Sequence, residues 1–232
     1  MKIYRLEISN IKDLKNLTEI SGGLNFYDVV LVTANTSTFA TQDLKNFLKH
    51  EEIKKLDEYK SEVSKINFAV SRSILNKALE TTLKIPLEDV VILRNEYNKP
   101  YIKNKNEIKF NISHTAGYVV VCFSKRRIGV DIEKVNYDFE FECILRDCFT
   151  HREIKNIGFD TFMFYKYWTA KEAYLKCEGC GFMRSPKEIE VIHIDNQTIE
   201  VEDNIKRINK DLAVLSLSSG EYFGAVCIQE EA

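Results

Sequence analysis

The sequence predicts an α+β fold, and two observations carry that prediction. Apolar residues recur at helical spacing in separate blocks, from about 43 to 83 and from about 139 to 178. Elsewhere they alternate with period two or gather in short runs bounded by turn residues, as strands do. The chain has 232 residues, 44% hydrophobic and 29% charged, enough for one large cored domain or two small ones.

Residues 2–8 and 26–33 have strand composition and are separated by a turn at Gly22-Gly23. From 43 to 60, Leu44, Phe47, Leu48, Ile53 and Leu56 form the apolar stripe of a charged helix. A second helix over 64–83 aligns Val70, Ile74, Leu75, Ala78 and Leu79, with Pro86 just beyond its end. Residues 90–93 form a strand, and Asn98-Lys99-Pro100 a turn. Ile108, Phe110 and Ile112 alternate with polar residues, whereas 119–123 is apolar on both faces, as in a central strand. Ile128, Val130 and Ile132 alternate again, which sets Asp131 and Glu133 together on the opposite face. After a helix over 139–148, Thr150-His151-Arg152-Glu153 reads as a capping box opening another. A long helix over 161–178 ends near Gly179 and Gly181. Residues 189–228 divide into short strands at turns such as Asp195-Asn196 and Ser218-Ser219-Gly220.

The balance of 33 basic against 35 acidic residues leaves no global positive field to draw in nucleic acid. Six cysteines show no disulfide-framework spacing, and Cys177-x-x-Cys180 lacks a second pair for zinc, so they read as ordinary thiols. The N-terminus has no signal-peptide apolar segment, and the longest apolar run is too short to span a bilayer. These features predict a soluble cytoplasmic protein with no nucleic-acid or membrane partner.

Two blocks carry chemistry by spacing. Gly129-Val130-Asp131-Ile132-Glu133 places two carboxylates on one strand face, and Trp168, Glu172 and Lys176 share a helix face in Trp168-Thr169-Ala170-Lys171-Glu172 and beyond. Three convergent carboxylates suit Mg²⁺, a hard cation that takes few carboxylates and completes its shell with waters and phosphates. Taken singly, each block also has a plain reading. Asp-x-Glu is usually the wet face of a strand, Glu172 to Lys176 an ordinary surface pair, and the aromatics from Phe162 to Trp168 core. A third block, Ser113-His114, ends a strand just before a turn at Ala116-Gly117, where ligand contacts often sit. Spacing alone yields a possible metal and phosphate site and no substrate.

Together, Asn98-Lys99-Pro100, Phe110-Asn111-Ile112-Ser113-His114, Gly129-Val130-Asp131-Ile132-Glu133 and Trp168-x-x-Lys171-Glu172-Ala173-x-x-Lys176 resemble the 4′-phosphopantetheinyl transferases. The match is to the two-lobed, monomeric, surfactin-synthetase-activating branch, and it is strong from about 88 to 182. That resemblance implies two similar lobes related by a pseudo-twofold, each a small antiparallel sheet with packed helices, with coenzyme A in the cleft between them. The lobes are expected over 1–115 and 116–232. It implies Asp131, Glu133 and Glu172 as Mg²⁺ ligands and Lys176 near the coenzyme pyrophosphate. Ser113 and His114 match the pair at the adenosine 3′-phosphate, and Lys99-Pro100 the loop beside the nucleotide. The implied reaction moves phosphopantetheine from coenzyme A to a serine of an apo acyl or peptidyl carrier protein, in secondary-metabolite or fatty-acid synthesis, and releases adenosine 3′,5′-bisphosphate. Glu172 is the expected base, with Glu153 as the alternative. In the first lobe Asn67 and Asn76 stand where the family commonly has basic residues, so Arg72, Lys54 and Lys55 are the expected replacements. Phe141, Ile144, Leu145 and Phe149 form part of a carrier-docking patch or, more simply, helix core. The competing readings are a Mg²⁺-dependent phosphohydrolase and a non-catalytic coenzyme A or carrier binder.

Overall fold

The structure, a computed structural model, describes residues 1–104, 107–217 and 220–229. It divides into two compact units, one of Met1–Arg94 with Pro100–Arg126, the other of Asn95–Lys99 with Arg127–Ala232.

The first unit runs β1 (Ile3–Glu7), α1 (Ile11–Lys15), α2 (Glu19–Gly23), β2 (Val29–Asn35), α3 (Thr41–Leu44), α4 (His50–Leu56) and α5 (Glu62–Leu83). It continues with β3 (Ile92–Arg94), β4 (Pro100–Ile102), β5 (Lys109–Thr115) and β6 (Tyr118–Ser124). Its main sheet has the order β1-β2-β6-β5, and β3 pairs with β4 in a small ribbon. All pairs are antiparallel except β1 with β2, between which α1 and α2 carry the chain back. β6 is buried along its whole length, as its apolar run requires, and its Val119, Val121 and Phe123 share a core with Val70, Ile74 and Leu75 of α5.

Two features depart from expectation. The helix anticipated over 43–60 is broken, because Leu48 turns extended (φ −111°, ψ 145°) and α4 starts afresh. Tertiary contacts override the stripe at this point. The Lys49 ammonium bonds the Val90 carbonyl, and Glu52 turns inward to accept from Lys49 N (3.0 Å), Asn76 Nδ2 (2.6 Å) and Arg72. α1 and α2 were not anticipated, since five residues are too few to register a helical period.

The second unit contains β7 (Ile128–Lys134), α6 (Glu142–Cys148), α7 (His151–Ile157) and α8 (Thr161–Glu178), then β8 (Ile189–Ile194), β9 (Thr198–Asp203), β10 (Ile208–Leu217) and β11 (Tyr222–Ile228). Its sheet, β7-β11-β10-β9-β8, is antiparallel throughout. The turn expected at 218–220 falls partly outside the described residues. The units divide at Arg126/Arg127 and not at 115/116, because β5 and β6 form one hairpin whose pairing runs from Lys109–Ser124 to Thr115–Tyr118. A cut at 115/116 would sever that ladder. No helix among the described residues is long and apolar enough to cross a membrane, and none of the six cysteines is in a disulfide.

Candidate active site

α8 is fixed at both ends. The Asp160 side chain accepts from Met163 N (3.0 Å) at the start, and Gly179, at φ 80°, closes the end with its N–H on Leu175 O (2.9 Å). Mid-helix, the Tyr174 hydroxyl donates to buried Asp203 (2.7 Å), which also takes two bonds from Arg184 (2.8 and 2.9 Å). On its other side α8 lies directly on β7. A Cβ added at Gly129 would stand 2.1 Å from Ala173 O and 2.2 Å from Cys177 N, so only glycine permits this approach.

That approach creates the site. Asp131, two residues beyond Gly129 on the same strand face, is 3% exposed and accepts a bond from Lys176 Nζ at 2.6 Å. The face is therefore not the wet side of a strand. Glu172, one turn before Lys176, is 9% exposed, and its Oε1 is buried with no hydrogen-bond partner among the described residues. Burial, then the neighbouring Asp131 carboxylate, pushes its pKa up to about 7, with Lys176 pulling the other way. Burial alone would lower Lys176, but Asp131, Glu172 and Glu133 together hold its pKa above the usual lysine value. Glu133, near the end of β7, is half-buried and acts on Lys176 through charge.

Among the described residues no three His, Cys, Asp or Glu side chains already stand as a metal cluster. The donor set nevertheless fits Mg²⁺. It consists of carboxylate oxygens, one buried and unsatisfied, and Mg²⁺ is usually held by one or two carboxylates plus phosphates and waters instead of a protein cage. Asp131 and Glu172, close enough that one raises the other's pKa, are the pair that would hold it.

Glu153, the alternative base expected from the sequence, is engaged at both carboxylate oxygens. It is fully buried, with Oε2 bonded to Lys171 Nζ (2.7 Å) and Thr150 N (2.8 Å) and Oε1 to Val191 N (2.8 Å). The predicted capping box is present, and the carboxylate is consumed by it and by Lys171. Lys171 also donates to Cys148 O (3.1 Å) and Pro186 O (3.0 Å), tying α8 to its neighbours. Phe164, Tyr165 and Tyr167 are buried, and Trp168 packs on Phe149 and Phe164, so the aromatic run is core. Phe141 and Phe149 are core too, while Leu145 and Phe149 also edge a cavity with Arg146, His151 and Lys187.

The coenzyme residues expected from the sequence separate. Lys55, Arg72, Pro100 and His114 line one cavity of about 530 Å³ in the first unit, together with Lys49, Tyr59, Phe68 and Arg94. The Lys55 ammonium lies 5.3 Å from the Phe68 ring centre, and Arg72 is paired with Glu52. Ser113 is buried and faces away from this cavity, because adjacent residues of β5 project to opposite sides. Lys99 belongs to the second unit, where its ammonium donates to three backbone carbonyls, those of Ile128 (2.9 Å), Lys176 and Cys177 (3.3 Å). Its side chain is thus engaged at the C-terminal end of α8 and the start of β7. Lys49, Arg94 and Tyr59 also line the cavity, and no sequence pattern marks them, because they are isolated residues that share no period.

Two family models tile most of the chain. The one described as "4′-phosphopantetheinyl transferase, N-terminal" matches residues 35–126, and the one described as "4′-phosphopantetheinyl transferase superfamily" matches 127–227. Their junction is the structural division at Arg126/Arg127. The chain belongs to the 4′-phosphopantetheinyl transferase superfamily. Among superfamily relatives, it is 30% identical over 139 residues to 4′-phosphopantetheinyl transferase gsp of Aneurinibacillus migulanus, covering 57% of this chain and 56% of that one. It is 27% identical over 136 residues to 4′-phosphopantetheinyl transferase Sfp of Bacillus subtilis, covering 56% and 61%. The match to 4′-phosphopantetheinyl transferase HetI of a Nostoc strain is 25% over 185 residues, 76% of each. The chain thus spans a little over half the length of the first two relatives.

Proposed function

We propose that the protein transfers 4′-phosphopantetheine from coenzyme A to a serine of an apo carrier protein, in a Mg²⁺-dependent reaction. The observation that carries this reading is Glu172, a buried carboxylate with an unsatisfied oxygen, set on α8 against the Asp131–Lys176 pair. Such a group is destabilising in the resting protein and is explained by a ligand that supplies positive charge.

In this reading the carrier serine Oγ attacks the β-phosphorus, and its proton passes to Glu172. The bond from phosphorus to the bridging oxygen breaks, and adenosine 3′,5′-bisphosphate leaves with the bonding pair. With no metal bound, burial and the Asp131 carboxylate raise that carboxyl to about 7, and a bound Mg²⁺ would lower it. Lys176, held by Asp131, neutralises charge on the pyrophosphate. Mg²⁺ bound by Asp131 and Glu172, with Glu133 nearby, would supply Lewis-acid stabilisation and a template for in-line displacement. The cavity of the first unit, with Lys55, Arg72, Arg94 and His114, suits the anionic nucleotide end of the coenzyme.

Incubation with coenzyme A, Mg²⁺ and a panel of apo acyl and peptidyl carriers tests the proposal. One phosphopantetheine added per carrier, and none in chelator, is the expected mass change. Coenzyme cleavage without any carrier would show a phosphohydrolase, and coenzyme binding without turnover a binding protein; either result overturns the proposal.

A further inference from the structure

Asn95–Lys99 belong to the second unit although β3 and β4, on either side, belong to the first. Within the second unit they meet the C-terminal end of α8. A helix leaves its last four carbonyls without intrahelical donors. Here Gly179 N returns to Leu175 O, Lys99 Nζ donates to Lys176 O and Cys177 O, and Asn95 Nδ2 donates to Gly179 O (3.1 Å). The loop is braced for this task. Asn95 Oδ1 accepts from Tyr97 N (3.0 Å) and Lys99 N (2.8 Å), and Asn95 N bonds Lys99 O (3.0 Å). Gly179 leaves the room required, since a Cβ there would stand 3.1 Å from Lys99 Cδ.

We propose that Lys99 is a positioning residue for the candidate active site, and not a ligand of the coenzyme. Its ammonium binds the carbonyl of Lys176 and also that of Ile128, the first residue of β7. Both sides of the Asp131–Lys176 contact are therefore fastened to one nitrogen: the helix through Lys176 itself, the strand three residues before Asp131. An ammonium has three donors, and three carbonyls receive them. Its charge also sits at the negative end of the α8 dipole, which stabilises the last turn.

The kinetic part of the test rests on the transferase reading, whereas the structural part does not. Amide hydrogen exchange is compared for wild type, Lys99→Met and Lys99→Arg. In Lys99→Met, amides of the last turn of α8, 175–179, exchange about tenfold faster, while α5 is unchanged. Under transfer conditions its kcat falls about 10- to 100-fold with KM for coenzyme A within about twofold of wild type. Lys99→Arg, which keeps charge and donors, restores most of both. A raised KM with normal kcat and normal exchange makes Lys99 a coenzyme ligand and overturns the proposal. Unchanged exchange in Lys99→Met overturns it regardless of kinetics. Faster exchange in a protein whose wild type transfers to no carrier keeps the clamp and removes the transferase reading. If Lys99→Met does not fold, Asn95→Ala carries the comparison: it removes the bond to Gly179 O and the two that brace the loop, with effects of about threefold or more, and no change there overturns the proposal.

Discussion

Glu153 and Glu172 are both buried carboxylates of the second unit, and the two regions around them have opposite character. Around Glu153 every oxygen has donors: Lys171, Thr150 N and Val191 N surround it, and Lys171 finds two further carbonyls. Around Glu172 one oxygen has no donor, Asp131 repels it, and Lys176 is committed to Asp131. Lys171 and Glu172 are consecutive on α8, about 100° apart around its axis, so adjacent faces of one helix carry a completed structural network and an incomplete polar site. A charge with all its partners holds the fold. A charge lacking them awaits a ligand.

The largest expected effect comes from breaking the incomplete side. Glu172→Gln should lower the transfer rate by about three to four orders of magnitude, because in the proposed reaction it removes a base and a metal ligand together. Its thermal midpoint should match or exceed that of wild type in chelator, since a buried carboxylate next to another is replaced by a neutral amide. Transfer near the wild-type rate would sink the assignment of Glu172.

The completed side should respond in the other currency. Lys171→Met leaves Glu153 buried without its cation and should cost about 3–5 kcal/mol in urea unfolding. Burial already holds the Lys171 pKa below that of an ordinary lysine, against the pull of Glu153. Replacing both partners, as Lys171→Met with Glu153→Leu, should recover much of that loss, because no lone charge remains. Activity per folded molecule should stay within about tenfold of wild type in either variant. A stable Lys171→Met protein with lost activity would reverse the contrast.

The sequence exposed these two sides unequally. The capping box at Thr150 and Glu153 and the bounds of α8 were legible, because caps and helix ends are written in local residues. That Glu153 is consumed was not legible, since Val191 and Lys171 come from other elements. Asp131 looked like a wet strand residue, because period two shows which residues share a face and not what covers it. Gly129 was the available signal: a glycine within a strand marks a close backbone approach. The carbonyl contacts of Lys99 were hidden for a related reason. Resemblance supplied a place beside the nucleotide, but the direction of a lysine side chain depends on distant carbonyls.

A pH series in chelator sharpens the contrast at smaller magnitude. Below about pH 4.3 Glu172 is protonated in folded and unfolded chains alike and carries no penalty. Between there and about pH 7 the unfolded chain releases this proton while the folded chain keeps it. The unfolded state then binds fewer protons, so stability falls as pH rises, by about 3–4 kcal/mol for this group by pH 8. The difference between wild type and Glu172→Gln should show that slope. Added Mg²⁺ should flatten it for wild type only, because ligand bound to the folded state adds stability. A flat difference would mean that the Glu172 carboxyl is not strained.

The smallest effect isolates one bond of the completed network. Thr150→Ala removes the hydroxyl that accepts from Glu153 N, but Glu153 keeps Lys171, Thr150 N and Val191 N. The loss should be about 1 kcal/mol, the usual worth of an N-cap side chain, with transfer kinetics unchanged. Several kcal/mol instead would mean that the box holds Glu153 in place and that Lys171 alone does not. The fully partnered side would then depend on its local cap more than on its buried ion pair, and the Lys171→Met and Thr150→Ala effects would not add.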